Sequence, residues 1–145
     1  MTKKVQVAVE INRPVNEVFS YIVNLQHMPY YTDIVEVNRM SGNGEVGTIY
    51  EIVTRSTFSK IKKQIEISKK SAHMQFAYID KSLNYENETG YMFEELSSGG
   101  VKVTAYKSAN VGGLYSLLTL NIGHERSVQK ELYKSLQTLK KIFEA

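Results

Sequence analysis

Residues 5–31 read VQVAVEINRPVNEVFSYIVNLQHMPYY, and the fold turns on this stretch because its hydrophobic period changes partway through. Val5, Val7, Val9 and Ile11 alternate with Gln6, Ala8 and Glu10, the period-two pattern of an antiparallel strand with one apolar and one mostly wet face. Pro14 then sets a helical φ where no amide partner is needed. Glu17 favours the positive end of a first turn, and Val15, Val18, Phe19 and Ile22 fall at helical spacing. A helix is therefore expected from Pro14, followed by the Pro-aromatic loop His27-Met28-Pro29-Tyr30-Tyr31.

Beyond this opening, six further segments rich in β-branched or aromatic residues predict strands: Ile34–Met40, Val46–Thr54, Ile61–Ile67, Met74–Ile79, Tyr85–Phe93 and Val101–Tyr106. Ser41-Gly42-Asn43-Gly44 reads as a tight hairpin turn. No connection between these strands is long enough for a crossover helix, so an antiparallel meander of seven strands follows, counting the first. From Leu114 the pattern turns helical. Val128, Leu132, Leu136, Leu139 and Phe143 recur every three or four residues, one apolar stripe that must face the sheet, and Gly123 marks a kink or close approach.

A strand, a Pro-initiated helix, a Pro-aromatic loop, a six-strand meander and a long final helix together resemble the helix-grip superfamily over essentially the whole chain. That superfamily includes START-type lipid-transfer domains, polyketide cyclases/dehydrases and birch-pollen-allergen-like proteins. Asn24 stands where many members carry Asp, and Tyr31 where many carry Trp. The resemblance implies an α+β fold in which a curved seven-stranded sheet wraps the C-terminal helix, with two short helices between strands 1 and 2. It also implies a cavity between sheet and helix.

Composition bounds the function. The 145 residues suit a single domain spanning 1–145, able to bury about 70% of its unfolded surface. With 18 basic and 15 acidic residues the formal charge is only +3, too small to imply nucleic acid or an acidic membrane by itself. The lysines between Lys60 and Lys70 and at Lys130, Lys134, Lys140 and Lys141 read as solvated faces, so nucleic acid is not the expected partner. No cysteine supplies a disulfide, thiol catalyst or thiolate metal site, and the Met-Thr-Lys-Lys start shows no apolar signal region. A cytoplasmic location is expected. The apolar patch Leu114–Ile122 is far shorter than a membrane span.

Ten tyrosines and five phenylalanines without tryptophan are unusual for a sealed core, because each buried phenol needs a hydrogen-bond partner. A wet or ligand-filled interior removes that difficulty. Alternation puts Tyr85, Asn87, Thr89, Tyr91 and Phe93 on one face, opposite Glu86, Glu88, Gly90, Met92 and Glu94, and the acidic face is taken as the wet one. Met74, Phe76 and Tyr78 share an inward face, as do Ile61, Lys63, Ile65 and Ile67, with a bulge expected to turn Lys63 outward. Tyr50, Ile52 and Thr54 are read as inward, because the other parity would bury Glu51 and Arg55.

The candidate ligand wall is thus Tyr31, Tyr50, Ile52, Phe76, Tyr78, Tyr85, Asn87, Thr89, Tyr91 and Phe93. Leu117, Asn121 and His124 of the C-terminal helical region join it, with His124 open to either the cavity or solvent. The three histidines lie apart without a carboxylate cluster, so neither a metal site nor a cofactor is expected. Gly42-Asn43-Gly44-Glu45-Val46-Gly47 carries a dinucleotide-fingerprint spelling but spans a hairpin, the wrong context. The resulting expectation is a domain that binds a small hydrophobic or aromatic molecule, lipid-like or polyketide-like. It would close through the His27–Tyr31 loop and a Gly112-Gly113 hinge. Two alternatives stay open: a cyclase/dehydratase-type enzyme drawing on Asp33, His124 and tyrosines, and a protein-interaction module without a small ligand.

Overall fold

The computed structural model describes residues 2–55, 58–82, 86–110 and 122–145. The period change at Pro14 separates strand β1 (Thr2–Ile11) from helix α1 (Val15–Val23), and a 3-10 helix (Leu25–Tyr30) follows. Pro14 is itself the N-cap, extended at ψ 146°, and its carbonyl accepts from the amides of Glu17 and Val18. The helix thus begins one residue later than its sequence suggests. Strands β2 (Ile34–Ser41), β3 (Ile49–Arg55), β4 (Lys60–Ser71), β5 (Gln75–Asp80), β6 (Glu86–Glu95) and β7 (Val101–Asn110) follow, then the long helix α2 (Ile122–Glu144).

All seven strands form one antiparallel sheet in the order β1-β7-β6-β5-β4-β3-β2. Sequential hairpins build it, and β1 joins beside β7. The β2–β3 turn is longer than expected, so Val46 lies in it and β3 starts only at Ile49. Gly42, with φ at 91°, explains the tightness: a Cβ there would lie 2.6 Å from Thr48 Oγ1. Met74 lies before β5, next to His73 at φ 62°, and points outward rather than joining Phe76 and Tyr78 inside. Ile61, at the open end of β4, is also exposed.

The core occupies the concave side of this sheet. Leu132, Leu136 and Leu139 of α2 are buried there with Val9, Ile11, Val101 and Val103, and Val128 and Phe143 extend the same stripe. Helix α1 plugs one end, burying Val18, Phe19 and Ile22, with the Phe19 ring edge-on to Phe93 at 5.2 Å. The last turn of α2 ties to the end of β1. Lys140 donates to the Glu10 carbonyl, the Glu144 carboxylate accepts from Asn12 N–H at 3.0 Å, and the Arg13 guanidinium reaches the Phe143 carbonyl at 3.1 Å.

The convex side of the sheet departs from the simple alternation. Glu88, expected to face water, is buried. One row of residues across the sheet explains why: Lys69, Ala77, Gly90 and Tyr106 stand opposite one another in successive strands. Because Gly90 lacks a side chain, the Tyr106 ring lies flat over the backbone there. A Cβ on Gly90 would come within 2.5 Å of that ring. The Tyr106 hydroxyl donates to Glu88 at 2.8 Å and accepts from Gln75 at 2.9 Å, and the Lys4 ammonium sits 4.9 Å above the ring.

A β-bulge at Ser68 completes this network by reversing the parity of β4 after Ile67, which turns Lys69 to the convex face. Lys69 and Ser68 then each hydrogen-bond Glu88 at 3.1 Å. Burial alone would raise the Glu88 carboxyl, but the hydrogen bonds from Tyr106, Lys69 and Ser68 outweigh it and hold the group below the usual glutamate value.

Gly90→Ala should lower stability by about 1 to 3 kcal/mol through overpacking against Tyr106, and urea denaturation should show a smaller penalty in a Tyr106→Ala background. Because the folded Glu88 value is depressed, its contribution is complete above the unfolded glutamate value and disappears as pH falls through the folded one. Denaturation midpoints measured from pH 6 down to pH 3 should therefore decline less steeply in Glu88→Gln.

Candidate functional site

The leucine stripe of α2 packs on the concave sheet along one side of the helix. Beside it the helix carries Ser127, Lys130, Glu131, Ser135 and Thr138, side chains that cannot close a dry core. A cavity of about 750 Å³ separates them from the strands. Its apolar surface comes from Ile34, Ile52, Ile65 and Leu132, and its polar wall from Tyr78, Asn87, Thr89 and Tyr91. The segment after the 3-10 helix, Tyr31-Thr32-Asp33, forms the rim beside α2. Ser135 pins this rim by donating to the Tyr31 carbonyl at 2.5 Å, and Thr32 braces it from within through Met28 O and Ile34 N–H.

Three phenols meet inside. Tyr31 and Tyr91 are buried, and their hydroxyls interact, yet Tyr31 Oη makes no hydrogen bond of full geometry among the described residues. Tyr78 stands across from Thr89 in the β5–β6 pair, and the Thr89 hydroxyl offsets part of the rise that burial gives the Tyr78 phenol. Burial pushes all three phenols above the ordinary tyrosine value, Tyr91 to about 12, and neighbouring phenols reinforce the effect at Tyr31 and Tyr78. At neutral pH they remain protonated and able to donate.

Six of the expected wall residues line this cavity: Tyr31, Ile52, Tyr78, Asn87, Thr89 and Tyr91. Tyr50, Phe76 and Phe93 do not, and they are corrected to core positions. Their parity is inward as expected, but they lie further along β3, β5 and β6, where the sheet closes on α1 and the leucine stripe. Lys63 is a second correction. It lines the cavity and pairs with Asp80 at 3.7 Å, because the β4 bulge falls five residues later, at Ser68. Tyr85, Leu117, Asn121 and the Gly112-Gly113 hinge lie outside the described residues, as does the His124 side chain.

Lys107 also lines the cavity, beyond the expected wall, because its strand continues past Tyr106 to Asn110. The signal is present in the sequence: Val101, Val103, Ala105 and Lys107 keep one parity. His27 and His73 serve packing. His27 stacks on Tyr21 at 4.0 Å and bonds its carbonyl at 2.8 Å, while His73 meets Phe19 edge-on at 5.5 Å. Among the described residues no group of three metal-ligating side chains converges, and no helix is long and apolar enough to cross a membrane.

No protein-family model and no curated protein sequence matches the chain. Solved structures do. Ara h 8.0201 superposes with a TM-score of 0.77 at 12% identity, covering 99% of this chain and 98% of the other. The ZhuI aromatase/cyclase from Streptomyces sp. R1128 gives 0.75 at 10% identity, with coverages of 99% and 94%. TTHA0849 from Thermus thermophilus gives 0.74 at 13% identity, with coverages of 96% and 95%. At such identities the likeness is one of architecture, and the architecture is the helix-grip fold.

The buried phenols give a spectroscopic test. A tyrosine raised above its unfolded value stabilises the fold below about pH 10, and this contribution is lost as pH rises beyond it. Absorbance at 295 nm should show Tyr31, Tyr78 and Tyr91 ionising later than the exposed tyrosines, and Tyr91→Phe should remove part of the late phase.

Proposed function

We propose that this helix-grip protein binds a small, largely apolar or aromatic molecule between its sheet and α2. The observation that carries this reading is the cavity itself. About 750 Å³ falls within the roughly 300 to 1,000 Å³ range of small-molecule pockets, and its walls combine aliphatic surface and convergent hydroxyls with charged side chains, Lys63, Asp80 and Lys107 among them. A core of ordinary density would not leave such a volume. The Tyr31 hydroxyl supports the same reading, since a buried phenol without a full hydrogen bond is a costly arrangement that a ligand acceptor would relieve.

Ile52, Ile65 and Leu132 would supply apolar contact, while Tyr31, Tyr78, Tyr91, Thr89 and Asn87 would fix orientation. Entry past the Tyr31–Asp33 rim is consistent with the exposure of Tyr30 beside it. A cytoplasmic setting belongs to the same reading and rests on the cysteine-free sequence.

A cyclase or dehydratase activity is the second reading. The Asp33 carboxyl and three protonated phenols border one cavity, which would allow proton transfer to a bound chain. One of the similar structures is also that of an aromatase/cyclase. A binder returns its ligand unchanged, so mass spectrometry of a polyketide-like substrate before and after incubation separates the two readings.

Native mass spectrometry of freshly purified protein should reveal a co-purifying small molecule, and Ile52→Trp should abolish it by filling the cavity while leaving the melting temperature within a few degrees. Wild-type protein without any bound mass, and without affinity for apolar probes, would overturn the binding reading.

A further inference from the structure

Lys107 stands on the concave face of β7, in register with Thr89 of β6 on one side and Val5 of β1 on the other. Its side chain is half-buried and lines the cavity. A cation placed against a sheet interior normally finds a counter-charge, because desolvation without one is costly. Lys63, the other lysine on the concave face of the cavity, has such a partner in Asp80 at 3.7 Å. Lys107 has none: its ammonium makes no ion pair or hydrogen bond with any described residue. The carboxylates of Asp33 and Glu131 border the same cavity, yet neither pairs with it.

The groups around Lys107 are donors rather than acceptors of charge. Asn87 and Thr89 neighbour it on β6, and the Tyr78 and Tyr91 phenols stay protonated at neutral pH. Lys130 and Lys134 add positive charge from the α2 side. An ammonium with no counter-ion among the described residues, set beside neutral hydroxyl and amide groups, is a receptor for an anion, and the aliphatic surface of the same cavity suits an anion that carries an apolar body.

We propose that Lys107 anchors the acidic group of the ligand, so that the cavity takes an organic acid with an apolar or aromatic body. The carboxylate lies against Lys107 and Thr89, and the body extends along Ile52, Ile65 and Leu132. This assignment rests on the binding reading above and names the chemical class that the cavity selects.

Fluorescence anisotropy with 1-pyrenebutyrate and its neutral counterpart 1-pyrenebutanol tests both levels. A hydrogen-bonded charge contact corresponds to a preference of roughly tenfold to a hundredfold, so wild-type protein should bind the acid at least tenfold more tightly. Lys107→Met should erase that preference while retaining affinity for the alcohol, and Lys107→Arg should keep most of it. The ratio of the two probes within one variant is insensitive to modest losses of stability. Equal affinities in wild type, or a preference that survives Lys107→Met, would overturn the anchor while leaving the cavity as a binding site. Failure of both probes to bind wild-type protein overturns the binding reading and the anchor with it.

Discussion

The rest of the structure depends on the divided character of α2. One portion of its inner surface carries Leu132, Leu136 and Leu139, which bury against the sheet and exclude water. The surface beside it carries Ser127, Glu131, Ser135 and Thr138, which cannot be dehydrated against aliphatic strands without cost. One side of the helix therefore seats tightly on the sheet while the other borders open volume. Position along the strands decides the environment of inward residues. Phe76 and Phe93 pack solidly, whereas Tyr78 and Thr89, nearer the opposite end of the same strands, border open volume.

The convex face holds those strands in place. Tyr106 crosses Gly90 and bonds Glu88, and the Ser68 bulge delivers Lys69 to the same carboxylate, so one buried charge links β4, β6 and β7. Gln75 brings in β5. These four strands are the ones that carry Lys63, Tyr78, Asn87, Thr89, Tyr91 and Lys107 on the opposite side. A polar network with every member satisfied restrains geometry more than apolar contact does. The outer network therefore fixes the spacing of the inner wall without touching whatever occupies it.

Much of the architecture is legible because alternation and helical spacing report which face is buried. All seven strands and the closing stripe Val128, Leu132, Leu136, Leu139 and Phe143 can be read that way. Periodicity does not report depth along a strand, so Tyr50, Phe76 and Phe93 cannot be told apart from true wall residues. Nor does it locate a bulge. The irregularity expected at Lys63 belongs to Ser68, and the parity at Lys63 is sound without it. Glu88 misleads because charge usually marks a wet face, yet Gly90 two residues later is a clue: glycine within a strand often marks the close approach of another group.

Sheets that do not close into barrels leave two strands with unpaired backbone, and here those strands are β1 and β2. Register shifts in β2 near Val35 and Met40 make it a poor template for another chain. The β1 side relies on α2, whose Lys140 and Glu144 occupy the Glu10 carbonyl and the Asn12 amide. These contacts satisfy two backbone groups where β1 ends, and fraying of the last helical turn would return both to water.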